Sequence, residues 1–475
     1  MKALYDPQHI LTRGLSAIRT QFQVSESFPP QVLAAADAAA KRAPTEHVDR
    51  TERPFVTLDP ASSTDLDQAF AIEHSGADIV LHYAIADVAW FVADGDPVDV
   101  EAWHRGETLY LPDGKAGLYP RVLGEKAASL LPDGRRPAVV FTVRVDPAGG
   151  TRLDGVERAI VHSRAKLAYA TVRDDQLPDG FTELARRIHE AEQARGAARV
   201  DPPQQEVVAL GPDRYALAYR PMRVAEQRNA ALSLACNLAV ARALLDHRTG
   251  LFRVMAGPDA RAVARLRQAA HALALDWPEA ADLKQFERTL DSRDPKQAAF
   301  MLAVRRAGNG AGYAPWAAGA EPWHAAIAAT YVHATAPLRR LADRYVIRAA
   351  LAVANGQPVP DAVTQAFQRL PEVMARADAL AGRIDRAVID LAEAVMLHGR
   401  EGEAFPAIVT DIDGDSARVH LEGLPVVARA RAPGAAPGDR IALRLDSADP
   451  DRRTLSFSTE AAQDKNPIAG QPHLG

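Results

Sequence analysis

The sequence predicts an α+β protein that ends in a small β-barrel. Residues 54–163 alternate short β-rich runs with turns, whereas residues 181–400 are dominated by apolar residues at helical spacing. Strands in the front half and helices in the rear half are the order expected of an α+β body. Residues 403–459 return to about five short strands divided by Asp-Gly, Pro-Gly and Asp-Pro turns, which predicts an OB-type barrel. A barrel that serves packing or partner contacts alone is the alternative.

Composition sets limits on the function. The chain has 475 residues, too many for one ordinary core, so we expect roughly two to four domains. Its formal net charge of −5 argues against a protein that coats nucleic acid over its whole surface, although a local basic channel stays open. The single cysteine, Cys236, excludes a disulfide framework and a zinc site built on cysteines. Because the sequence offers no membrane-spanning run and no signal-peptide core, we expect a cytoplasmic protein without membrane contact.

The chain is expected to begin with a helical region over residues 1–52. Leu11–Phe22 and Pro30–Arg42 each carry apolar residues at helical spacing. They favour either a helix-turn-helix-like unit or a helical hairpin packed on the next domain, and the pattern does not separate the two. After them we expect the α+β body over 53–400, the barrel over 401–460 and a disordered tail over 461–475.

Individual elements of the body follow from local patterns. Ala77–Trp90 is rich in β-formers and mostly apolar, which predicts a buried central strand. Ala225–Asp246 is long and largely apolar, which predicts a core helix. Two further strands are expected at Pro137–Asp146 and Leu153–Tyr169. The remaining helices, most of them opened by a capping or proline signal, are predicted at Phe181–Ala198, Pro258–Leu275, Pro295–Arg306, Pro337–Asn355, Asp361–Met374 and Ala377–Arg400.

Three aspartates and a glutamine stand close together in the segment Phe55–Phe70, FVTLDPASSTDLDQAF. A predicted strand ends on Asp59, and a turn is expected to bring Asp65 and Asp67 back beside it, on one face of the next strand. Three carboxylates in one small volume repel one another unless a cation lies between them, and hard cations such as Mg²⁺ prefer oxygen ligands. The segment therefore predicts a metal site for phosphate chemistry. A solvated acidic turn is the alternative.

A second group of polar residues lies in Tyr331–Arg348, YVHATAPLRRLADRYVIR. A proline signal is expected to open a helix that Thr335 caps and whose first turn carries Arg339 and Arg340. Arginine's planar donor fork suits a phosphate, and a helix N-terminus adds backbone donors. Asp343 follows Arg339 by four residues, which on a helix would let it orient that arginine. The pattern predicts a phosphate-binding helix, with a basic surface helix as the alternative.

Five segments in order carry a resemblance to a known family. They are TLDPASSTDLDQAF, YAIADVAWFV, RGETLYLP, HSRAKLAYATV and the run that leads from His324 into YVHATAPLRRLADR. Together they resemble the signature stretches of the ribonuclease II / ribonuclease R family, which is defined by the RNB catalytic domain. The resemblance runs from Arg53 to about Arg400 and precedes an OB-type barrel, as in that family.

The resemblance implies a processive 3′-to-5′ exoribonuclease that hydrolyses single-stranded RNA, or structured RNA with a 3′ overhang, to nucleoside 5′-monophosphates. It implies a monomer that needs Mg²⁺, with Mn²⁺ as a substitute, and no organic cofactor. Asp67 matches the aspartate most tied to the chemistry, Arg339 the arginine on the scissile phosphate and Tyr110 the tyrosine that stacks on the 3′-terminal base. Catalysis would then rest on Asp65, Asp67 and Arg339. The implied metal residues are Asp59, Asp65, Asp67 and Gln68, and the implied RNA-binding residues are Tyr110, Tyr331, His333, Thr335, Arg339, Arg340 and Arg344.

The sequence also departs from the family's pattern. Gln68 stands at the fourth aspartate position, and Asn229-Ala230-Ala231 occupies a place where the family has acidic residues. The family's signature serine and tyrosine are Ala336 and Leu341. The first 52 residues are too few for the cold-shock barrels that precede the catalytic domain in typical members.

Three hypotheses about the function follow. The first is an active exoribonuclease, and the second is a catalytically weakened member that binds RNA, with Gln68 replacing an active-site aspartate. The third is a phosphohydrolase of small molecules, against which the predicted barrel and arginine helix speak.

Overall fold

The computed structural model describes residues 2–4, 9–197, 205–211, 214–220, 222–291, 294–308 and 310–459. The predicted tail, residues 461–475, lies outside these described residues. Within them, the helices that are long enough to cross a membrane are not apolar enough to do so.

The described helices range from a single turn to one of 37 residues. They are α1 (Ile10–Gln21), α2 (Pro30–Ala40), α3 (Val88–Phe91), α4 (Pro97–Arg105), α5 (Phe181–Ala194), α6 (Val224–Asp246), α7 (Ala260–Ala272), α8 (Leu283–Glu287), α9 (Pro295–Ala307), α10 (Leu341–Ala354) and α11 (Asp361–Leu397), with a π-helical turn at Leu123–Ala127 and a 3₁₀ turn at Asp174–Gln176.

The described strands form five sheets. In chain order they are β1 (Lys2–Ala3), β2 (Val48–Asp49), β3 (Phe55–Asp59), β4 (Gln68–Ser75), β5 (Asp78–Ala86), β6 (Leu109–Leu111), β7 (Gly114–Ala116), β8 (Arg136–Val145), β9 (Thr151–Val161), β10 (Ser163–Ala168), β11 (Gln205–Gly211), β12 (Arg214–Tyr219), β13 (Leu251–Met255), β14 (Ala311–Pro315), β15 (Trp323–His324), β16 (Ala329–Thr330), β17 (Ala404–Asp413), β18 (Ser416–Leu421), β19 (Val427–Arg431), β20 (Arg440–Asp449) and β21 (Thr454–Thr459).

The main sheet has seven strands in the order β10-β3-β4-β5-β8-β9-β2. β5 lies at its centre with almost every residue buried, which confirms the central strand predicted within Ala77–Trp90. Helix α6 packs on strands β8 and β9, and Cys236 of this helix is buried in the same core as Phe55 and Phe141. Continuous apolar runs in the strands fit a sheet that is covered on both faces.

The aspartate segment is the connection between two neighbouring strands of this sheet. Strand β3 ends at Asp59, and β4 begins at Gln68 and pairs with β3 in antiparallel fashion. Asp65 and Asp67 therefore lie in the loop before β4, so the prediction that they sit on one face of a strand was wrong. The buried side chain of Leu66 anchors this loop in the core between them.

A second core joins the start of the chain to its end. The barrel sheet has the order β19-β18-β17-β20-β21, and β19 lies against β21, so that the barrel is nearly closed, consistent with the predicted OB fold. Its interior is continuous with one face of α11 and with Leu11, Leu15 and Ile18 of α1. Helix α2 packs instead on the core of the main sheet through Val32 and Ala36. The two N-terminal helices thus pack on other elements of the chain, each on a different core. Packing on a neighbouring domain is what the helical-hairpin alternative predicts.

Two helix predictions were wrong. The helices predicted at Asp361–Met374 and Ala377–Arg400 are the single helix α11, which runs through Pro371. Proline costs this helix an internal hydrogen bond, but buried residues on both sides of it, Leu370 and Met374, hold the helix together by packing. The helix predicted to open at Pro337 begins four residues later, with α10.

Candidate active site

Asp67 lies where the loop before β4 meets the loop before α10. Its buried carboxylate accepts a hydrogen bond at 2.7 Å from the backbone N–H of Leu338. Its other oxygen lies 3.4 Å from Nε of Arg339, whose side chain is 49% exposed. The fold therefore brings together the two residues on which the predicted chemistry depends most, and leaves the guanidinium of Arg339 open to a ligand.

Asp65 has partners on a separate hairpin, β6–β7. One carboxylate oxygen lies 2.8 Å from Nζ of Lys115, and the other accepts a hydrogen bond at 3.1 Å from the hydroxyl of Tyr110. Lys115, which also lies 3.4 Å from Glu125, was not among the predicted site residues. Strand pairing was the missed signal: Tyr110 and Lys115 are direct cross-strand partners, so both side chains point to the same face of the hairpin.

Burial controls the charge of two of the aspartates. Burial raises the pKa of Asp59 to about 7 and that of Asp67 to about 8, although nearby Arg339 acts in the opposite direction on both. Oδ2 of Asp59 is buried and has no hydrogen-bond partner among the described residues. Ionisation of these carboxylates carries a cost that a neighbouring cation would offset.

The amide oxygen of Gln68 is occupied by two uncharged partners. Its Oε1 accepts hydrogen bonds from the hydroxyl of Tyr83 at 2.5 Å and from that of Ser233, on α6, at 3.1 Å. The two bonds use both lone pairs of the amide oxygen. Gln68 is thus held as a structural acceptor between β4 and α6.

Asn229, also on α6, lies close to Asp59. Its Nδ2 donates to the carbonyl of Leu58 at 3.2 Å and to the hydroxyl of Tyr169 at 2.9 Å. Its Oδ1 is buried and, within the described structure, without a hydrogen-bond partner. Asn229 was not among the predicted metal residues, yet its side chain supplies an oxygen of the type that hard cations bind.

The residues present fit a divalent cation only in part. In the described part of the chain, no group of three or more His, Cys, Asp or Glu side chains is arranged to hold a metal ion. Asp65 faces Lys115 at 2.8 Å, and Asp67 faces Arg339 at 3.4 Å. The unpartnered oxygen of Asp59, in contrast, and the raised pKa values of Asp59 and Asp67 fit a cation beside these two carboxylates.

The loop before α10 has a different anchor from the one predicted. Asp343 pairs with Arg340, not with Arg339, and its Oδ1 also accepts hydrogen bonds from the backbone N–H groups of Thr335 at 2.9 Å and Ala336 at 2.7 Å. These bonds hold the loop out of helical conformation, which is why α10 starts only at Leu341. Asp343 therefore fixes the loop that presents Arg339.

Two predicted RNA-binding residues are not on the surface. Arg344 is 1% exposed and pairs with Asp99 in the core, where it also donates to the hydroxyl of Tyr345 at 2.6 Å. A buried arginine must keep such partners, so Arg344 has no donor face for RNA, and this prediction was wrong. Thr335 is 5% exposed, and its contribution is the backbone bond to Asp343.

Tyr331 and His333 lie in one aromatic cluster with Tyr313. His333 Nδ1 is 2.7 Å from the hydroxyl of Tyr313, and Tyr331 accepts a hydrogen bond from Asn237 at 3.1 Å. Burial lowers the pKa of His333 well below its usual range, so its imidazole is neutral. Both side chains keep part of their surface exposed, and an RNA contact by either remains a prediction.

Comparison with known proteins adds a family context. The RNB domain family matches residues 47–355, and the RNase II-type exonuclease C-terminal S1 domain matches residues 403–460. Ribonuclease R of Aquifex aeolicus is 26% identical over 441 residues, which cover 86% of this chain and 61% of that protein. The chain thus spans less than two thirds of the length of this relative.

Solved structures share the fold. Mycoplasma genitalium RNase R in complex with ribose-methylated single-stranded RNA superposes with a TM-score of 0.83 at 19% identity, over 95% of this chain and 78% of that one. Yeast Ssd1, described as a pseudonuclease, superposes with a TM-score of 0.65 at 16% identity, over 88% of this chain and 55% of that one. The same fold therefore occurs with and without nuclease activity.

Proposed function

The chain belongs to the RNB family, and from that premise we propose that it is a processive 3′-to-5′ exoribonuclease that hydrolyses RNA to nucleoside 5′-monophosphates. The observation that carries the proposal is the contact between the buried carboxylate of Asp67 and the exposed guanidinium of Arg339, with Asp59 nearby. The substrate is single-stranded RNA, or structured RNA with a 3′ overhang. The proposal includes a monomer that acts in the cytoplasm without an organic cofactor.

Each residue of the site has a distinct part in this proposal. Arg339 binds the scissile phosphate through its exposed donor fork, and Asp67 orients both this guanidinium and the attacking water. Tyr110 stacks on the 3′-terminal base, and Asp65 fixes its hydroxyl. Asp59 and Asp67 would hold a divalent cation, Mg²⁺ or Mn²⁺, which would supply charge neutralisation and an activated water. Arg340 stays paired with Asp343 and shapes the loop.

A time course on purified protein tests the proposal. Single-stranded RNA with a 3′-hydroxyl is incubated with Mg²⁺, with Mn²⁺ or with a chelator, and mononucleotides are separated from longer products. We expect nucleoside 5′-monophosphates from the first minutes onward in the presence of metal and none with the chelator. Internal fragments, or no products at all with either metal, would contradict it.

The alternative is a catalytically weakened member that binds RNA. Two observations favour it: Gln68 is uncharged and its amide oxygen already accepts two hydrogen bonds, and Asn229 is uncharged where the family has acidic residues. The pseudonuclease Ssd1 is an example of the same fold described without nuclease activity. Strong RNA binding with no mononucleotides in the time course would select this alternative. A phosphohydrolase of small molecules is disfavoured because the chain belongs to a family of RNA-degrading enzymes.

Gln68→Asp tests whether the site lacks negative charge. A carboxylate at this position adds charge next to Asp67, so we expect half-maximal rate at a Mg²⁺ concentration about tenfold lower, equivalent to about 1.4 kcal/mol of binding free energy. Gln68→Asn is the matched control, since it shortens the side chain without adding charge. The measurement is the initial rate across a Mg²⁺ titration. Identical titration curves for Gln68→Asp and Gln68→Asn would contradict the expectation.

A basic cleft along α11 and the barrel offers a path for the RNA backbone. Its cavity is about 650 Å³, and its charged lining consists of five arginines (Arg305, Arg386, Arg418, Arg429 and Arg453) and three acidic residues (Asp385, Asp390 and Glu393). Among the described residues, these five arginines make no ion pair within 4.0 Å, in contrast to most other arginines of the chain. Burial and the neighbouring Arg306 and Arg429 lower the pKa of Arg418, although Asp411 acts in the opposite direction. With five arginines against three acidic side chains, the cleft carries an excess of positive charge. We propose that RNA phosphates provide the compensation.

The salt dependence of RNA binding tests this path. We expect Arg418→Gln/Arg429→Gln to weaken binding at low salt and to flatten the slope of log affinity against log salt by about 0.7 for each phosphate that the protein no longer neutralises. Arg440→Gln is the control, because Arg440 is another barrel arginine that already pairs with Glu422 at 2.9 Å. Equal slopes for the double variant and the control would show that the cleft does not bind the backbone.

A further inference from the structure

The hairpin that carries Tyr110 belongs to a different core from the aspartates. Strands β6 and β7 have three residues each and form a separate two-stranded sheet. Leu111 is buried in the core formed by α1, α11 and the barrel, and Leu109 packs against that same core. Leu58 and Leu66, beside the aspartates, are buried in the core of the main sheet. The position of Tyr110 relative to the aspartates thus depends on how the two cores are held together.

An isolated hairpin of this size has little stability of its own and needs external support. Its base is attached to the catalytic loop, where the backbone N–H of Thr108 donates to the carbonyl of Arg339 at 3.0 Å. Its turn is formed by Pro112 and Asp113. In the described part of the chain, the carboxylate of Asp113 accepts no hydrogen bond from a residue of the main sheet. The turn is attached to the N-terminal region instead.

Arg19, in the last turn of α1, makes that attachment. Its two terminal nitrogens donate to the two carboxylate oxygens of Asp113 at 2.9 and 2.6 Å, and its Nε donates to Glu26 at 2.8 Å. The pair is mostly shielded, with the side chains of Arg19 and Asp113 exposed by 18% and 25%. A bidentate, partly buried pair fixes orientation as well as distance. Gly114, next to the turn, lies so close that a Cβ there would be 3.7 Å from this guanidinium.

Helix α1 is itself a rigid support. Leu11, Leu15 and Ile18 are fully buried, and Gly14 faces Leu391 of α11 so closely that a Cβ on Gly14 would lie 2.5 Å from that side chain. A helix packed this closely has few alternative positions. Helix α1 lies before residue 47, where the match to the RNB domain begins. The support that α1 gives to the hairpin therefore comes from outside the matched domain.

We propose that Arg19 is a positioning residue for the 3′-terminal nucleotide. It holds the turn of the β6–β7 hairpin so that the hydroxyl of Tyr110 stays 3.1 Å from Asp65 and the ring is available for stacking. The N-terminal region is thereby a part of the substrate site. This inference rests on the proposed function for the identity of the ligand, a nucleotide at the 3′ end of RNA.

The test is a mutant cycle between Arg19 and Tyr110. We expect Arg19→Ala to raise KM for single-stranded RNA about five- to tenfold, within the range expected when one base stack is removed, and to change kcat by less than about twofold. Placed in a Tyr110→Ala background, Arg19→Ala should have no further effect, because the group that it positions is absent. Arg19→Lys keeps the charge but not the bidentate fork, so an intermediate KM is expected.

A second readout does not require hydrolysis. RNA with 2-aminopurine as its 3′-terminal base is bound to the Asp67→Asn variant, and stacking is followed as quenching of fluorescence. We expect that Arg19→Ala and Tyr110→Ala, each combined with Asp67→Asn, relieve the quenching to the same extent. Arg42→Ala is the control, because Arg42 follows α2 and also anchors the N-terminal region, through the carbonyl of Trp90 at 2.9 Å.

The outcomes separate the two proposals. The positioning role would be overturned if Arg19→Ala raised KM equally in the Tyr110 and the Tyr110→Ala proteins. Full quenching of 2-aminopurine in a protein that carries Arg19→Ala would overturn it as well. Failure of the unaltered chain to release mononucleotides, with quenching that still depends on Arg19, would overturn the proposed hydrolysis and leave the positioning role standing.

Discussion

Replacement of Asp67 by asparagine is expected to abolish hydrolysis while RNA binding survives. The substitution removes the charge that faces Arg339 and keeps the shape, since Oδ1 of the amide still accepts from the backbone of Leu338. Groups that act as a unit in catalysis fail together, so we expect the rate to fall by at least about 10³-fold. Mononucleotide release under single-turnover conditions measures this loss, and filter binding measures the affinity.

Stability provides the control for this variant. Burial raises the pKa of Asp67 to about 8, so the ionised form is disfavoured in the folded protein. A neutral amide removes this penalty, and we expect an unchanged or higher melting temperature for Asp67→Asn in the absence of metal. Mononucleotide release at the unaltered rate would show that Asp67 is not part of the chemistry.

Removal of the exposed guanidinium at Arg339 is expected to have the second largest effect. Among the described residues, Arg339 makes a single ion pair, at 3.4 Å with Asp67, and its truncation leaves the phosphate without its donor fork. We expect Arg339→Ala to lower kcat/KM by about 10³-fold, the scale found for arginines that stabilise a transferring phosphoryl group. Arg339→Lys keeps one charge without the planar fork and should recover only part of this loss.

A matched control for Arg339 lies on the surface of α5. Arg186 pairs there with Glu183 and Glu190, away from the site, so Arg186→Ala makes the same change in net charge. We expect its kcat/KM to stay within about twofold of the unaltered chain. A comparable loss in both variants would mean that Arg339 acts through general attraction of RNA and not at the scissile phosphate.

Local patterns predicted much of the fold because they reflect which side chains are buried. The central strand within Ala77–Trp90, the long helix near Ala225–Asp246 and the barrel all appear where apolar periodicity placed them. The errors arose where a distant contact overrides local preference. Asp343 ties up the backbone before α10, and packing carries α11 through Pro371.

The site was harder to predict than the fold, since its geometry depends on partners far away in sequence. The sequence motifs predicted that Asp67 and Arg339 belong to one site. They did not predict that Arg344 is buried or that Asp65 pairs with Lys115. The role of Arg19 has no local signal at all, because its partner lies 94 residues away. Charged residues in a sequence reveal their partners only when the fold is known.

We propose that the site around Asp67 and Arg339 removes nucleotides one at a time from the 3′ end of RNA. One RNA labelled at its 3′-terminal nucleotide, compared with the same RNA labelled at its 5′ end, tests this activity. We expect the 3′ label to appear first, as a nucleoside 5′-monophosphate, while the 5′ label stays in shrinking chains until late in the reaction. Early release of the 5′ label, or a 3′ label found first in an oligonucleotide, would contradict the proposed activity.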